Sequence, residues 1–318
     1  MTLLDQLREI SDLSVETCVP MAAHTSFGIG GPADILVTPH TMEALAAAVR
    51  TCYEAGVPPT VIGNGTNLLV LDGGIRGVVL KVANGLSRTR VEGDLIVAES
   101  GVRVASLCRI CADEGLGGLE WAAGIPGTLG GALVMNAGAW GGEIGQLVEW
   151  VTVATPKGEL RRLPREEIKF GYRFSSFQGS PNVIAQAALK LVPSDPATVH
   201  SKLCEIIETR CEKQPLAMPS AGSVFKRSGE NGAGRLVEGA GCKGMRVGGA
   251  VVSEKHANFI VNEGNATARD VLELIHRVQA KVKDQFGVDL IPEICVVGEP
   301  LDRADAGHWV PDSLPAVV

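Results

Sequence analysis

The glycine-rich segment from Gly124 to Glu143 constrains the fold of this chain more than any other part of the sequence. It reads GIPGTLGGALVMNAGAWGGE and holds seven glycines in twenty residues, together with large apolar side chains such as Leu133 and Trp140. A glycine in an ordered element costs about 0.5–1 kcal/mol relative to alanine, so such a run persists where the backbone turns with positive φ or passes close to another group. We therefore expect a buried segment whose backbone lies against a second strand or a ligand.

The composition is that of a soluble globular protein. The chain has 318 residues, of which 45% are apolar and 20% charged, and its formal net charge is −7. It contains no Lys/Arg run that would neutralise a phosphate backbone, so nucleic acid is not expected as a partner. The N-terminus lacks the apolar core of a signal peptide, and no stretch reaches the roughly 20 apolar residues that span a bilayer. We expect a cytoplasmic protein without membrane insertion, either a monomer or a weak dimer.

The cysteines and histidines do not form a metal-binding pattern. Only Cys108 and Cys111 stand at C-x-x-C spacing, whereas a zinc ribbon needs a second such pair. Both share an apolar helical face with Val104 and Leu107, which favours buried thiols. The six histidines show no ligand spacing, so no metal is predicted.

Apolar periodicity and end signals predict an α+β fold. The predicted helices are 42–56, 104–115, 197–213 and 267–287. Short β-type runs lie between them, at 33–39, 59–63, 77–82, 95–100, 148–156, 183–193, 246–253 and 258–262. Helices and strands do not alternate regularly, which argues against a doubly wound parallel sheet.

A proline-rich stretch, LVPSDPAT, predicts a domain boundary. It divides the chain into a first region at 1–193 and a second at 194–298, and the residues 299–318 form an aperiodic tail that we expect to be loose.

Three glycine clusters in the first region compete as candidates for a ligand cradle, and the third is the segment 124–142 described above. The run GIGGPA at 28–33 matches G-x-G-x-x-A, but no apolar strand precedes it and no helix follows, so it is not a Rossmann turn. The run VIGNGTNLLV at 61–70 presents backbone N–H groups as a nest for anionic oxygens, with neutral donors at Asn64, Thr66 and Asn67. An ordinary hairpin connection explains it equally well. The second glycine-rich segment, with Asn136, favours one extended phosphate-bearing ligand.

Seven motifs in order resemble the UDP-N-acetylenolpyruvoylglucosamine reductase (MurB) family over roughly residues 20–299: HTSFGIGGPA, VIGNGTNLLV, AGIPGTLGGALVMNAGAWGGE, FGYRFSSF, SAGSVFKR, CKGMRVGGAVVSEKHANFIVN and IPEICVVGE. The resemblance implies an FAD-binding domain of the vanillyl-alcohol oxidase (PCMH) type in two lobes, about 20–82 and 83–193, plus a smaller α+β substrate-binding domain. It implies tight, non-covalent FAD held by both glycine loops, with contacts from Gly63, Asn64, Gly65, Thr66, Asn67, Gly124, Ile125, Pro126, Gly127, Thr128, Gly130, Asn136, Gly138 and Ala139.

The reaction of this family reduces the enolpyruvyl ether of UDP-N-acetylglucosamine to the lactyl ether in peptidoglycan precursor synthesis, with NADPH reducing FAD first. Reduction at C3 leaves negative charge developing at C2 and in the adjacent carboxylate, so the site needs a fixed cation, a hydrogen-bond donor and a proton source. By resemblance, Arg173 binds the carboxylate and Ser223 donates the proton to C2. Glu293, among apolar neighbours, is expected to be protonated and to donate. Without the motifs, each residue has an ordinary explanation: a surface ion pair for Arg173, a turn serine for Ser223 and a capped or salt-bridged strand-end carboxylate for Glu293.

Substrate contacts are expected from Tyr172, Lys226 and Lys243, although a core tyrosine and solvated lysines are equally ordinary explanations. The interval from Arg173 to Ser223 is shorter than in the branch of the family that carries an additional loop with a gating tyrosine. The resemblance is therefore to the shorter, second type of this enzyme.

Two other functions remain open from the sequence. One is an FAD-dependent alcohol or lactone oxidase of the same cofactor-binding architecture, but SAGSVFKR followed by IPEICVVGE argues against it. The other is a nucleotide-sugar binding protein without redox activity, which would be colourless.

Overall fold

The computed structural model describes residues 1–227 and 232–301. Within these residues the α-helices α1 to α7 are Leu3–Arg8, Met42–Glu54, Val104–Asp113, Leu129–Val134, Pro196–Lys213, Gly232–Gly239 and Ala268–Phe286. The strands β1 to β21 are Leu13–Pro20, Pro32–Pro39, Thr60–Ile62, Leu68–Val70, Ile75–Lys81, Thr89–Glu92, Leu95–Glu99, Leu116–Gly117, Gly138–Ala139, Gly142–Glu143, Val148–Ala154, Leu160–Pro164, Phe170–Gly171, Phe174–Ser175, Val183–Lys190, Val192–Pro193, Ser220–Ser223, Arg246–Val247, Ala250–Val252, Phe259–Asn262 and Cys295–Val297. No helix in these two ranges is long and apolar enough to cross a bilayer.

The four predicted helices are confirmed as α2, α3, α5 and α7. The longest, α7, begins with a capping box between Thr267 and Asp270 and ends at Gly287 in the left-handed conformation with φ of 67°. One face of α7 carries an apolar stripe that is buried except at Phe286, which is 40% exposed; its other members are Val271, Leu274, Ile275, Val278 and Val282.

Two sheets build the first region. The first has the strand order β1-β2-β5-β3, in which β1 is antiparallel to β2 while β2 and β3 run parallel to β5. The second has the order β12-β11-β15-β7-β6 and is antiparallel throughout. We propose the border between the two lobes near residue 82, where the chain passes from one sheet to the other.

Helix α5 packs with the first region. Its buried residues Val199 and Leu203 belong to the core that also contains α2, α3 and the antiparallel sheet. The predicted boundary at residue 193 stays a prediction, and we propose a later one, after Lys213, because side-chain packing follows the core rather than the proline-rich stretch.

The remaining elements form a smaller unit with its own core. Strands β17, β20, β19 and β18 make one antiparallel sheet, and α6 and α7 pack on it. Strand β21 then leaves this unit and pairs in parallel with β4 of the first region, with Cys295 opposite Leu68. The predicted tail at 299–318 begins with paired backbone, because the N–H of Glu299 donates to the carbonyl of Gly74. Its residues 302–318 lie outside the described residues.

Candidate active site

A cavity of about 680 Å³ lies between the first region and the smaller unit. Both glycine loops line it, together with nine of the residues 214–223, which form the connection from α5 to β17 and β17 itself. Arg173, Arg210 and Glu293 supply its ionisable side chains. Its volume is in the range of ligand-binding clefts, and it combines apolar walls with a few convergent polar groups.

The two glycine loops touch each other at one wall of the cavity. The Asn64 side chain donates to the carbonyl of Pro126 at 3.0 Å. A Cβ at Gly63 would lie 2.4 Å from Oγ1 of Thr128, so only glycine permits this approach. The wall offers backbone and neutral side-chain donors without any charged residue between 63 and 67 or between 124 and 128. This donor set fits the pyrophosphate of a dinucleotide such as FAD.

The glycine-rich segment that opened the sequence analysis contains the short helix α4. Gly124, Gly127, Gly131 and Gly138 of this segment line the cavity. Gly142 does not, and a Cβ there would lie 2.4 Å from the Trp121 ring. The glycines therefore serve close packing within the protein as well as the cavity wall.

Twelve of the fourteen residues predicted to contact the cofactor line the cavity; Gly130 and Asn136 do not. Gly130 packs against Ser100. Asn136 is buried, and its amide donates to Glu143 at 3.0 Å and to the carbonyl of Gly171 at 2.8 Å. We propose a supporting role for Asn136, because it joins the β9–β10 hairpin to the β13–β14 hairpin, which carries Arg173.

Arg173 lies at the tip of the β13–β14 hairpin and points into the cavity. Its Nε is 2.5 Å from Oε1 of Glu293, and its Nη2 donates to the carbonyl of Gly138 at 3.1 Å. The backbone at Arg173 has φ of 52°, a conformation that L-residues other than glycine rarely adopt. Such strained residues cluster at functional sites, where the surrounding structure holds them.

Ser223 ends strand β17 and also lines the cavity. The pairing of β17 with β20 shifts register between Ser220 and Ser223. A bulge of this kind re-aims a side chain, and here the strand carries Ser223 to the same cavity as Arg173.

Glu293 is held between two segments that are distant in sequence. Its N–H donates to the carbonyl of Val224 at 2.7 Å, next to Ser223. Its carbonyl accepts from the side chain of Asn67 at 3.1 Å. Glu293 thus connects the serine-bearing strand to the first glycine loop.

The three predicted substrate contacts do not line the cavity. Tyr172 is 51% exposed, its ring lies 5.2 Å from the guanidinium of Arg173, and its hydroxyl accepts from the N–H of Arg227 at 3.1 Å. The backbone N–H of Lys226 donates to the carbonyl of Ile291. Lys243 pairs with Glu238 at 2.7 Å.

Comparison with known proteins decides the family. Residues 214–297 match the model of the C-terminal domain of UDP-N-acetylenolpyruvoylglucosamine reductase, and residues 33–164 match an FAD binding domain. A protein of Clostridium botulinum (strain Hall) named UDP-N-acetylenolpyruvoylglucosamine reductase is 46% identical over 280 residues, which is 88% of this chain and 91% of that protein. A protein of the same name from Clostridium tetani is 44% identical over 293 residues, 92% of this chain and 95% of that protein. The chain belongs to the UDP-N-acetylenolpyruvoylglucosamine reductase family.

The solved structures agree. The crystal structure of the UDP-N-acetylenolpyruvylglucosamine reductase (MurB) from Thermus caldophilus superposes with a TM-score of 0.78 at 36% identity and covers 90% of this chain and 100% of that one. The FAD-binding fold that the resemblance implied is confirmed. Between Arg173 and Ser223 this member of the reductase family has β14, β15, β16, α5 and β17 and no further helix or strand, all within described residues.

Sequence reasoning missed several residues at the cavity of this reductase family member. Arg210 of α5 lines it, as do Ser26 of the HTSFGIGGPA motif and Phe259 of β20. Ser26 donates to the carbonyl of Ser220 at 2.7 Å and so ties that motif to the serine-bearing strand. The motif itself was a usable signal for Ser26, whereas Arg210 in an amphipathic helix gives none.

Proposed function

We propose that this protein is the NADPH-dependent flavoenzyme that reduces UDP-N-acetylglucosamine enolpyruvate to UDP-N-acetylmuramate in peptidoglycan precursor synthesis. One observation carries the proposal: Arg173, Ser223 and Glu293, from three separate segments, line one cavity with both glycine loops. The family membership supports the same reaction, and an alcohol or lactone oxidase is not favoured.

The glycine loops hold and orient the cofactor. FAD, when bound there, would supply two-electron transfer between NADPH and the enolpyruvyl group. The residues 63–67 and 124–128 bind its pyrophosphate through backbone N–H groups and the side chains of Asn64 and Thr66, without a charged partner. The contacts are non-covalent.

Arg173 binds the carboxylate of the enolpyruvyl group. A planar guanidinium forms two parallel hydrogen bonds with a carboxylate and keeps its charge, so it stabilises the negative charge that develops there during reduction. Its Nη2 bond to Gly138 fixes the plane of the guanidinium before the substrate arrives. The aromatic ring of Tyr172 beside it supports this orientation.

Ser223 delivers the proton to C2. A hydroxyl is a weak acid, and it transfers a proton usefully only to a strongly basic centre, which the carbon next to the enolpyruvyl carboxylate becomes after reduction at C3. Strand β17 and its register shift hold the hydroxyl at the cavity wall.

Glu293 competes with the substrate for Arg173. The 2.5 Å contact between Arg173 and Glu293 satisfies the guanidinium with an internal carboxylate. When the substrate carboxylate takes this position, Glu293 gives up its bond to Arg173 and lies beside the substrate at the cavity wall. There it forms a hydrogen bond with the substrate.

We place the nucleotide half of the substrate toward Tyr172, Lys226 and Lys243, none of which lines the cavity. The two lysines supply cations for its diphosphate. NADPH and nucleotide sugars are cytoplasmic metabolites, so the function places the protein in the cytoplasm.

Anaerobic stopped-flow spectroscopy tests the proposal. The purified protein should be yellow, and NADPH should bleach the flavin absorbance. Addition of UDP-N-acetylglucosamine enolpyruvate without oxygen should restore the colour and yield one equivalent of UDP-N-acetylmuramate. Recovery of colour only on admission of oxygen would identify an oxidase instead, and a colourless protein that cannot bind FAD would contradict both enzymes.

A further inference from the structure

Arg210 carries a guanidinium at the cavity wall whose hydrogen-bonding capacity is largely unused. It lies in the last turn of α5 and lines the cavity. Its Nη1 donates to the carbonyl of Gly124 at 3.3 Å, while its Nε is buried and has no hydrogen-bond partner among the described residues. An orphaned buried donor of this kind calls for an explanation.

The other arginine of the cavity has a different environment. Arg173 is neutralised by Glu293, whereas no acidic side chain within residues 1–227 and 232–301 forms an ion pair with Arg210. Burial lowers the pKa of Arg210 from its usual value, but an arginine keeps its charge at neutral pH. A half-buried cation without a counter-charge is costly, so the cavity favours a ligand group that carries negative charge beside Arg210.

The contacts of Arg210 show where it lies along the segment 124–128 of the cavity wall. The segment 124–128 contacts the first glycine loop at its far end, through Pro126 and Thr128. Its near end, Gly124, contacts Arg210 and follows the 3-10 turn Glu120–Ala122. That turn contacts β9, whose Gly138 accepts a hydrogen bond from Arg173. Arg210 therefore lies at the end of this segment that adjoins the Glu120–Ala122 turn and, through it, β9 and Arg173, whereas the Asn64–Pro126 contact lies toward its other end.

We propose that Arg210 binds the edge of the flavin ring that becomes negatively charged on reduction, and so raises the reduction potential of the bound FAD. This inference rests on the proposed function, since it requires FAD in the cavity. Two-electron reduction of the ring with uptake of one proton leaves one negative charge, and a fixed cation stabilises this form over the neutral oxidised form.

The ratio of dissociation constants for oxidised and reduced FAD tests the proposal. By linkage, any change in this ratio equals the change in midpoint potential of the bound flavin, which is measured against a reference dye. In Arg210→Gln the ratio should shift about tenfold toward oxidised FAD, a fall of about 30 mV for a two-electron couple. Arg210→Lys, which keeps the charge, should shift it less, and it provides the comparison even where the glutamine variant folds poorly.

The matched control is Arg277→Gln, which removes an exposed arginine paired with Glu273 on α7 and should leave the ratio unchanged. Equal weakening of both redox forms in Arg210→Gln would assign Arg210 to the pyrophosphate and overturn the inference. A ratio within about threefold of wild type would overturn it as well. In both cases a wild-type protein that still binds FAD and turns over substrate leaves the proposed function intact, whereas a wild type that binds no FAD contradicts the function itself.

Discussion

The Nε of Arg173 lies 2.5 Å from Oε1 of Glu293, although the two residues are separated by 120 positions in the sequence. The arginine comes from a hairpin tip of the first region and the glutamate from the segment before the last strand. The side chains are 21% and 14% exposed, so the pair is shielded from water and salt. A substrate carboxylate that replaces Glu293 therefore leaves Arg173 paired with a negative charge, but it leaves Glu293 without its positively charged partner.

Arg173→Lys should slow the transfer of electrons from the reduced protein to the enolpyruvyl substrate by roughly 10–100-fold, because lysine loses one of two charge-assisted hydrogen bonds. Flavin reduction by NADPH should stay nearly unchanged, since it does not involve the substrate carboxylate. Stopped-flow measurement of both half-reactions checks this, with Arg161→Lys, an exposed arginine paired with Glu167, as control. Equal slowing of both halves would contradict the assigned role.

Glu293→Gln should lower kcat about tenfold or more without raising KM, because the amide does not compete as a carboxylate for Arg173, while the guanidinium loses the charge-assisted bond that orients it. Steady-state kinetics over a range of substrate concentrations separates the two constants. The control is Glu299→Gln, an exposed glutamate beyond β21. A rise in KM with unchanged kcat would indicate simple loss of binding.

Ser223→Ala should give a folded, yellow protein that accepts electrons from NADPH normally but reduces its substrate 10²–10⁴-fold more slowly, the typical contribution of general acid catalysis. Ser223→Cys should recover part of the rate, since a thiol also donates a proton. Ser201→Ala, on the exposed face of α5, controls for the loss of a hydroxyl elsewhere. A rate within about threefold of wild type in Ser223→Ala would return this residue to a structural role.

Gly127→Ala should weaken FAD binding by about 1–3 kcal/mol while the apoprotein stays as stable as wild type. A Cβ at Gly127 meets only Thr66 Oγ1 at 3.5 Å, an ordinary contact, so its added methyl group projects into the cavity. Gly142→Ala is the opposite case, because its Cβ would collide with Trp121 outside the cavity. Gly142→Ala should lower the free energy of unfolding by more than it weakens the binding of FAD. Titration with FAD and urea unfolding separate the two effects.

The buried cysteines should make stability fall at high pH. Burial raises the pKa of Cys52, Cys108 and Cys111 from 9.0 to about 12. Below pH 9 these thiols are protonated in both the folded and the unfolded chain; above it the unfolded thiols ionise first, so stability is lost progressively as the pH rises toward 12. The slope approaches about 1.4 kcal/mol per pH unit for each thiol.

Urea unfolding between pH 8 and pH 11 measures this slope, which should be shallower in Cys108→Ala and unchanged in Cys204→Ser, an exposed position. At pH 8 an alkylating reagent should label the exposed Cys18, Cys204 and Cys211 and leave the buried thiols unmodified until the chain unfolds. Rapid labelling of Cys108 or Cys111 in the folded protein would contradict their burial.

Local signals in the sequence predicted the four longest helices and ten of the 21 strands among the described residues. Thr267 and Asp270 predict the start of α7, and Gly287 predicts its end. Capping residues are informative because they satisfy the backbone groups that a helix terminus leaves without a partner. Helix α4 escaped prediction because its six residues lie in a glycine run and are too few to form a stable helix alone. Packing of Leu129 and Leu133 in the core stabilises it instead.

The candidate site was predictable only through motifs. Arg173, Ser223 and Glu293 match a family pattern, but no periodicity brings a hairpin arginine to a strand-end glutamate. Arg210 was missed because the sequence of its helix has an ordinary amphipathic pattern. Its hydrogen bond to Gly124 depends on tertiary packing, which no local pattern predicts. The parallel pairing of β21 with β4 was missed for the same reason, because its partners are distant in sequence.

The pairing of β21 with β4 has a consequence for the synthesis of the protein on the ribosome. Domains generally fold as units from the N-terminus while the chain is still growing. The first region brings both glycine loops, Arg173 and Arg210, whereas Glu293 reaches the cavity only when Cys295–Val297 align with Leu68–Val70. Under the proposed function, a polypeptide released before Cys295 would carry both glycine loops but lack the strand that holds Glu293 at the cavity, and would not complete the reaction.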